Sequence, residues 1–387
     1  MESAGERVLV NFFYAQPVGH AVEALHYCHG HHAAAPGRQV SVALNASTAT
    51  ELARFCPFVE RAYAIDHPFL APCADSDARL AALPRHFDWV LDDGRRHQPF
   101  QLEAFPGMRD YYAASDRRLV AARRRTFAGN PEAGYVPHRQ LRLELPAAAR
   151  RAAARRLGDP GVPRIAVMPA GSGERALYPS AGSWTVVLDA LAEARPGVRF
   201  VLVGRLTAGD DRRTATSLSA GDLEALLAHP PRPADAFGLP LAEQLAIVEA
   251  CDVFLAPHTG FGLAALAVAT PWLALSGGRW FEYFFNRVPF RSVIPDAGRY
   301  PCFTQFAPAD VRPDGDDGPR TPSMSRARIR EDLPRLVTAA GELIDGSLTY
   351  DHALRDYFAA LLAAHSGDDS AIWSIDGVHR DYIGGGG

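Results

Sequence analysis

Pro257-His258-Thr259-Gly260-Phe261-Gly262-Leu263-Ala264-Ala265-Leu266-Ala267 lies between two short apolar runs, Val253 to Ala256 and Trp272 to Leu275. The first run reads as a buried strand, the Ala/Leu-rich stretch as a helix, and the second run as the next strand. Strand, small-residue turn, helix and strand is a layout that aims the unpaired amides of a helix start at an anion. Thr259 can cap that helix, and its hydroxyl can also reach a phosphate oxygen. Gly260 and Gly262 let a ligand approach the backbone. An ordinary βαβ turn looks the same, so the rest of the chain has to decide.

Outward from this point the alternation continues. Leu241 to Ala250 is an amphipathic helix, Phe200 to Val203 a strand ending in Gly204-Arg205, and Trp184 to Ala194 a helix. Ile165 to Met168 is a strand that runs into Pro169-Ala170-Gly171-Ser172-Gly173-Glu174-Arg175. Such a loop offers amides and a hydroxyl to phosphate, and Arg175 adds a fork of charged donors. An earlier series precedes it: strand Arg7 to Phe13, helix Val18 to His29, strand Ser41 to Leu44, helix Thr48 to Phe55, then strands Tyr63 to Ile65 and Phe87 to Leu91. The Ala/Arg helix Pro146 to Leu157 and the turn-rich Asp159 to Pro163 separate the two series. Two α/β series of similar length predict two Rossmann-like domains facing across a cleft. Pro313 to Pro322 reads as a surface loop, and Arg326 to Leu343 and His352 to Ala364 as helices.

At 387 residues the chain is long enough for about two domains. With 48% hydrophobic and 22% charged residues it can bury full-sized cores. A formal net charge of −4 gives no field that favours nucleic acid or an anionic membrane. All 40 lysine-or-arginine positions are arginine, the style of a very GC-rich genome, so a phosphate clamp has to use arginine. Cys28, Cys56, Cys73, Cys251 and Cys302 are scattered without CxxC spacing, which argues against a zinc site or disulfide framework and for a reducing cytoplasm. No signal-peptide pattern or membrane-length apolar run stands out, so a cytoplasmic protein without an integral membrane segment is expected.

Five segments then match a known pattern in order and spacing: Ala170 to Arg175, Val201-Leu202-Val203-Gly204, Leu241-Ala242-Glu243-Gln244, His258-Thr259-Gly260 and Ala269 to Gly277. Over roughly residues 163 to 306 the chain resembles the bacterial heptosyltransferase family, and Tyr300-Pro301-Cys302 is similar to that family's cysteine-bearing stretch. The resemblance implies the α/β GT-B fold, with residues 1–158 as an N-terminal acceptor-binding domain and 163–325 as a domain binding a nucleotide-sugar. Residues 326–387 would form a helical segment returning to the N-terminal domain. It implies that Gly171, Ser172 and Gly173 touch the diphosphate and that Arg175 offsets leaving-group charge. Thr259 and Gly260 would hold phosphate at the helix start, followed by Phe261 and Gly262, with Gly204 and Arg205 near the ribose or base. His258 replaces the family's Asp, and Leu263 stands where the family has His. Both positions lie near the donor, leaving its sugar and base open beyond a first expectation of an ADP-sugar.

In the first domain the strand Arg7 to Phe13 leads to Gln16-Pro17-Val18-Gly19-His20-Ala21-Val22-Glu23. Heptosyltransferases carry Gly-Asp at this place; Gly19-His20 is instead similar to natural-product GT-B enzymes, whose His is the base. A neutral imidazole suits removal of a proton from an attacking hydroxyl. Glu23 is the fallback base, and Asp92 or Asp93 could orient the imidazole; the bland alternative is a capping or solvated His20. His26 and His29 share a helix face, but Gly30 is expected to end that helix before His31 and His32, giving no zinc spacing. Arg117, Arg118, Arg123, Arg124 and Arg125 read as a solvated face, and Trp280 to Phe285 as packing.

The resulting expectation is a cytoplasmic, metal-independent, inverting glycosyltransferase. It would move a sugar, a heptose among the candidates, from a nucleoside-diphosphate sugar to a hydroxyl of a small-molecule or saccharide acceptor of natural-product type. No cofactor is expected besides the donor substrate. Two alternatives stand beside it: a GT-B-like sugar-nucleotide epimerase, which forms product from donor alone, and a non-catalytic nucleotide-sugar-binding protein.

Overall fold

The structure is a computed structural model that describes residues 5–66, 75–91, 103, 105–113, 136, 139–158, 161–206, 215–278, 286–301, 310–315 and 318–368. These fall into two units, the first reaching Glu144 and the second beginning at Leu145.

In the first unit four parallel strands, β1 (Arg7–Phe12), β2 (Gln39–Asn45), β3 (Arg61–Ile65) and β4 (Trp89–Leu91), take the order β3-β2-β1-β4. β1 is buried from Val8 onward because its run is apolar on both faces, as a covered parallel sheet requires. Helix α1 (Val18–Ala34) follows β1 and packs on β1 and β2. It does not stop at Gly30, so His31 and His32 belong to it. Gly30 is buried inside the helix, and its carbonyl accepts a hydrogen bond from Val136 N–H (3.1 Å). The helix expected over Thr48 to Phe55 is a 3-10 helix, Thr50–Phe55.

The second unit is a six-stranded parallel sheet of order β10-β9-β8-β5-β6-β7. Its strands are β5 (Arg164–Val167), β6 (Arg199–Leu202), β7 (Ala234–Asp235), β8 (Val253–Pro257), β9 (Trp272–Leu275) and β10 (Phe290–Val293). The chain runs outward from β5 through β6 and β7, then returns to β8 on the other side. β5 and β8 therefore flank the topological switch point, where open α/β sheets take their ligands. The helices are α2 (Ala147–Leu157), α3 (Ala181–Ala194), α4 (Ala220–Ala228), α5 (Leu241–Glu249), α6 (Gly260–Ala267), α7 (Arg326–Ile344) and α8 (Tyr350–Ala364). Side-chain caps start several of them: Ser180 Oγ accepts from Ser183 N–H in α3, and Ser219 with Asp222 forms a capping box on α4.

One boundary expectation changes. Helix α2, read as the end of the first domain, packs on α5 of the second unit, where Arg150 grips Glu249 through Nε (2.6 Å) and Nη2 (2.8 Å). The described part of the C-terminal segment groups with the second unit. Arg291 of β10 reaches Glu342 on α7 (2.7 Å) and Asp356 on α8 (2.6 Å). Buried Arg328 bonds Asp332 (2.8 Å) and the carbonyl of Val293. The loop read at the surface is buried at its end, at Arg320, Thr321 and Pro322.

Candidate functional site

In the second unit the loop after β5 is fastened from several sides. Trp184 Nε1 donates to the Pro169 carbonyl (2.9 Å), Thr216 Oγ1 to the Ala170 carbonyl (2.9 Å), and Ser217 N–H to the Gly171 carbonyl (2.8 Å). Gly171 is wedged between two side chains. A Cβ there would stand 2.7 Å from Tyr178 Oη and 3.1 Å from Thr259 Cγ2. The glycine thus lets the β5 loop close onto the start of α6, bringing the two sequence-predicted phosphate elements together. Tyr178 Oη accepts from Gly173 N–H (3.0 Å), and burial raises the phenol's pKa, so it keeps its own proton for a further acceptor. Ser172 and Gly173 are exposed. Sequence reasoning did not single out Tyr178, because a lone aromatic near a loop carries no motif.

Thr259 occupies the N-cap position of α6 with extended backbone, φ −141° and ψ 148°, but its side chain makes no cap bond. Thr259 Oγ1 is buried and has no hydrogen-bond partner. Such an orphaned buried hydroxyl is costly unless something else bonds it. Next to it, Gly260 opens the helix and its first-turn amides.

The neighbouring positions serve packing instead. Phe261 is buried against Phe254, with ring centroids 5.6 Å apart. Gly262 is glycine because of Trp272: a Cβ would lie 2.3 Å from its ring. The packing of Trp272 is thus reason enough for a glycine at 262. His258 is half-buried, its ring centroid 6.4 Å from that of Trp272.

At the end of β6, Gly204 has φ +143°, and a Cβ would meet the Phe237 ring at 2.9 Å. Its N–H donates to Gln244 Oε1 (2.8 Å), and its carbonyl accepts from Gly238 N–H (2.9 Å). Gly204 is thus committed to the fold, leaving half-buried Arg205 as the nearer ribose-side candidate. Arg175 stands on the 3-10 turn Arg175–Leu177, its side chain 51% exposed, and pairs with Asp222 Oδ2 (2.6 Å). An exposed pair of this kind is worth about 0–1 kcal/mol, so a phosphate can take the arginine from it.

In the first unit His20 lies in the first turn of α1. Its Nδ1 is 3.2 Å from Glu23 Oε2, with the imidazole 32% and the carboxylate 13% exposed. A proton on Nδ1 donated to Glu23 leaves Nε2 as the acceptor (the tautomer follows from the carboxylate). Glu23, expected as the fallback base, is thus the carboxylate that sits against the imidazole. Asp92, proposed for that task, lies outside the described residues, as do Asp93, the arginine run 117–125, Trp280 to Phe285 and Cys302.

Two histidines of the cluster are packed into the first unit. His29 stacks on Phe58 (4.7 Å between centroids), and burial, then Arg139 and His32, lower its pKa. His31 is fully buried. Among the described residues no three His, Cys, Asp or Glu side chains are grouped to hold a metal ion. Burial pushes the thiols of Cys56 and Cys251 up to about 12, far from a nucleophile's range. No described helix is long and apolar enough to cross a membrane.

The chain is thus α/β, with a parallel sheet in each unit. No protein-family model and no curated protein matches the sequence. Two of the solved structures similar to this chain show its fold. One is a glycosyl transferase family 9 protein of Veillonella parvula, 14% identical, covering 87% of this chain and 99% of that chain with a TM-score of 0.54. The other is the ADP-heptose LPS heptosyltransferase II of E. coli, 14% identical, covering 86% and 98% with a TM-score of 0.51.

Proposed function

We propose that the protein is an inverting glycosyltransferase whose second unit binds a nucleoside-diphosphate sugar and whose first unit activates an acceptor hydroxyl. The observation that carries this reading is the junction of Gly171, Tyr178 and Thr259. There, loop amides, a retained phenol proton and an orphaned hydroxyl meet at the switch point of a parallel sheet. An anion bonded there would supply the partner that Thr259 Oγ1 lacks. The heptosyltransferase sharing the fold is described by its ADP-heptose donor; an ADP-sugar is accordingly the first donor to try, with a heptose among the sugars.

Chemically, departure of the diphosphate builds negative charge. Arg175, the α6 amides and Thr259 are suited to stabilise it without a metal ion. His20, oriented by Glu23, takes the acceptor's proton through Nε2 as its oxygen attacks the anomeric carbon. The acceptor is proposed to be a hydroxylated small molecule of natural-product type, and the protein to work in the cytoplasm.

The test is to incubate the full chain with nucleoside-diphosphate sugars, with and without polyhydroxylated acceptors, in chelator, and read products by mass spectrometry. Transfer predicts an acceptor one glycosyl unit heavier, with the free diphosphate released. A changed sugar nucleotide from donor alone would mark an epimerase, and binding without turnover a non-catalytic protein.

A further inference from the structure

Arg320 is only 3% exposed, at the end of a stretch rich in Pro, Gly and Asp. Its backbone is fixed by a reciprocal pair with Arg312, Arg320 N–H to the Arg312 carbonyl (2.9 Å) and Arg312 N–H to the Arg320 carbonyl (2.8 Å). The next residue, Thr321, donates its N–H to the Ala176 carbonyl (2.9 Å), which seats Arg320 beside the turn carrying Arg175. Nη1 donates to the Pro319 carbonyl (2.8 Å), whereas Nε is buried with no hydrogen-bond partner. Burial lowers the pKa of this guanidinium and the Arg175 charge adds to that, against the opposing pull of Asp314 and Asp222. A buried guanidinium is expensive to keep charged, which leaves a place for a further counter-charge beside Asp314 and Asp222.

A small pocket opens beside it, walled by Arg175, Tyr178, Ser217, Asp222 and Arg320 among others. Ser217 Oγ is also buried without a partner. Asp222 faces the same pocket, but its Oδ2 already accepts from Arg175 Nη2 (2.6 Å), Ser219 Oγ (2.6 Å) and Ser219 N–H (3.2 Å). Two guanidiniums, Tyr178 Oη and Ser217 Oγ thus line the pocket with one carboxylate whose Oδ2 is already engaged, and Asp314 is the other acidic group acting on Arg320. That balance favours an anion with several acceptor oxygens.

We propose that this pocket binds a phosphoryl group, with Arg320 and Ser217 holding the terminal phosphoryl of a nucleoside diphosphate beside the Gly171 loop. The inference rests on the nucleotide reading above. It adds to that reading a residue outside the stretch that carries the family resemblance. Arg175 is the movable cation of the pair, drawn from Asp222 towards the anion, and Arg320 the fixed one. Preference for diphosphates over monophosphates follows from Arg320.

The experiment is calorimetric titration of the full chain with ADP, UDP, GDP, dTDP and CDP, their monophosphates, and inorganic pyrophosphate. Wild type, Arg320→Gln, Arg320→Lys and Ser217→Ala are compared. Arg320→Gln is expected to weaken diphosphate and pyrophosphate binding about tenfold or more while sparing monophosphates, and Arg320→Lys to recover part of it. Ser217→Ala is expected to weaken diphosphates about threefold. Diphosphate affinities unchanged in Arg320→Gln and Ser217→Ala overturn the pocket and leave the nucleotide reading standing. Should Arg320→Gln not fold, unchanged affinity in Ser217→Ala alone overturns it. Pyrophosphate bound by wild type and weakened in the variants, with no nucleotide bound, supports the pocket and overturns the nucleotide reading. No phosphate bound at all overturns both.

Discussion

In the first unit the loop leaving central strand β1 leads to a helix whose first turn presents an imidazole backed by a carboxylate, His20 on Glu23. In the second, the loop leaving β5 presents amides, hydroxyls and Arg175 against the start of α6. Each sheet reverses its strand order at that place, between β1 and β4 or between β5 and β8. On the proposed function one topology carries two chemistries, set by residue type in a few loop positions. The first edge is fitted to move a proton and the second to hold an anion, so damage to one should leave the other working.

The largest effect is expected from His20→Ala. Turnover should fall about 10²–10⁴-fold, the usual worth of a general base, with nucleotide affinity unchanged. Equal losses of nucleotide affinity and turnover would show that the edges are not separate.

Within the second edge, two neighbouring residues should part company. Gly262→Ala forces a Cβ to 2.3 Å from the Trp272 ring, and overpacking of this kind costs about 1–3 kcal/mol or more. Its melting temperature should drop by several degrees. Thr259→Val should leave the melting temperature where it is, because Thr259 Oγ1 gives up no bond in the protein. It should weaken nucleotide binding about tenfold in titration calorimetry. A valine variant that binds as well as wild type would place the anion elsewhere.

The smallest effect belongs to the first unit. His29 has a lowered pKa when folded, so below about pH 6.5 the unfolded chain takes a proton that the folded chain refuses. Stability should therefore fall as pH drops through that value towards the folded pKa. Denaturant titrations at pH 7.5 and 5.5 should show His29→Gln losing less than wild type, by about 1 kcal/mol or under. An equal loss in both would assign the acid limb to other groups.

Much of the second sheet was legible because its strands are short apolar runs buried on both faces, punctuated by Gly and Pro. The Gly-Ser-Gly loop and His258-Thr259-Gly260 stood at strand ends for the same reason. What stayed hidden depends on contacts far apart in sequence. That Gly262 packs against Trp272, and that Gln244 and Phe237 close around Gly204, could not be read from the sequence. Helix α2 reads as a linker-side helix, and only its packing on α5 assigns it to the second unit. Gly30 signals a helix end by propensity, yet tertiary packing carries α1 through to Ala34. Arg320 sits in a composition typical of solvated loops, and its burial follows from pairing with Arg312.

The most direct measurement is thermal unfolding of the full chain with saturating ADP, UDP, GDP, dTDP and CDP, repeated on Arg175→Ala. A ligand bound only by the folded state stabilises it by about 2.7 kcal/mol at a hundred times its Kd. At least one nucleotide should raise the melting temperature, and the rise should shrink in Arg175→Ala. No rise with any of the five would contradict a nucleoside-diphosphate site at the β5–β8 switch point.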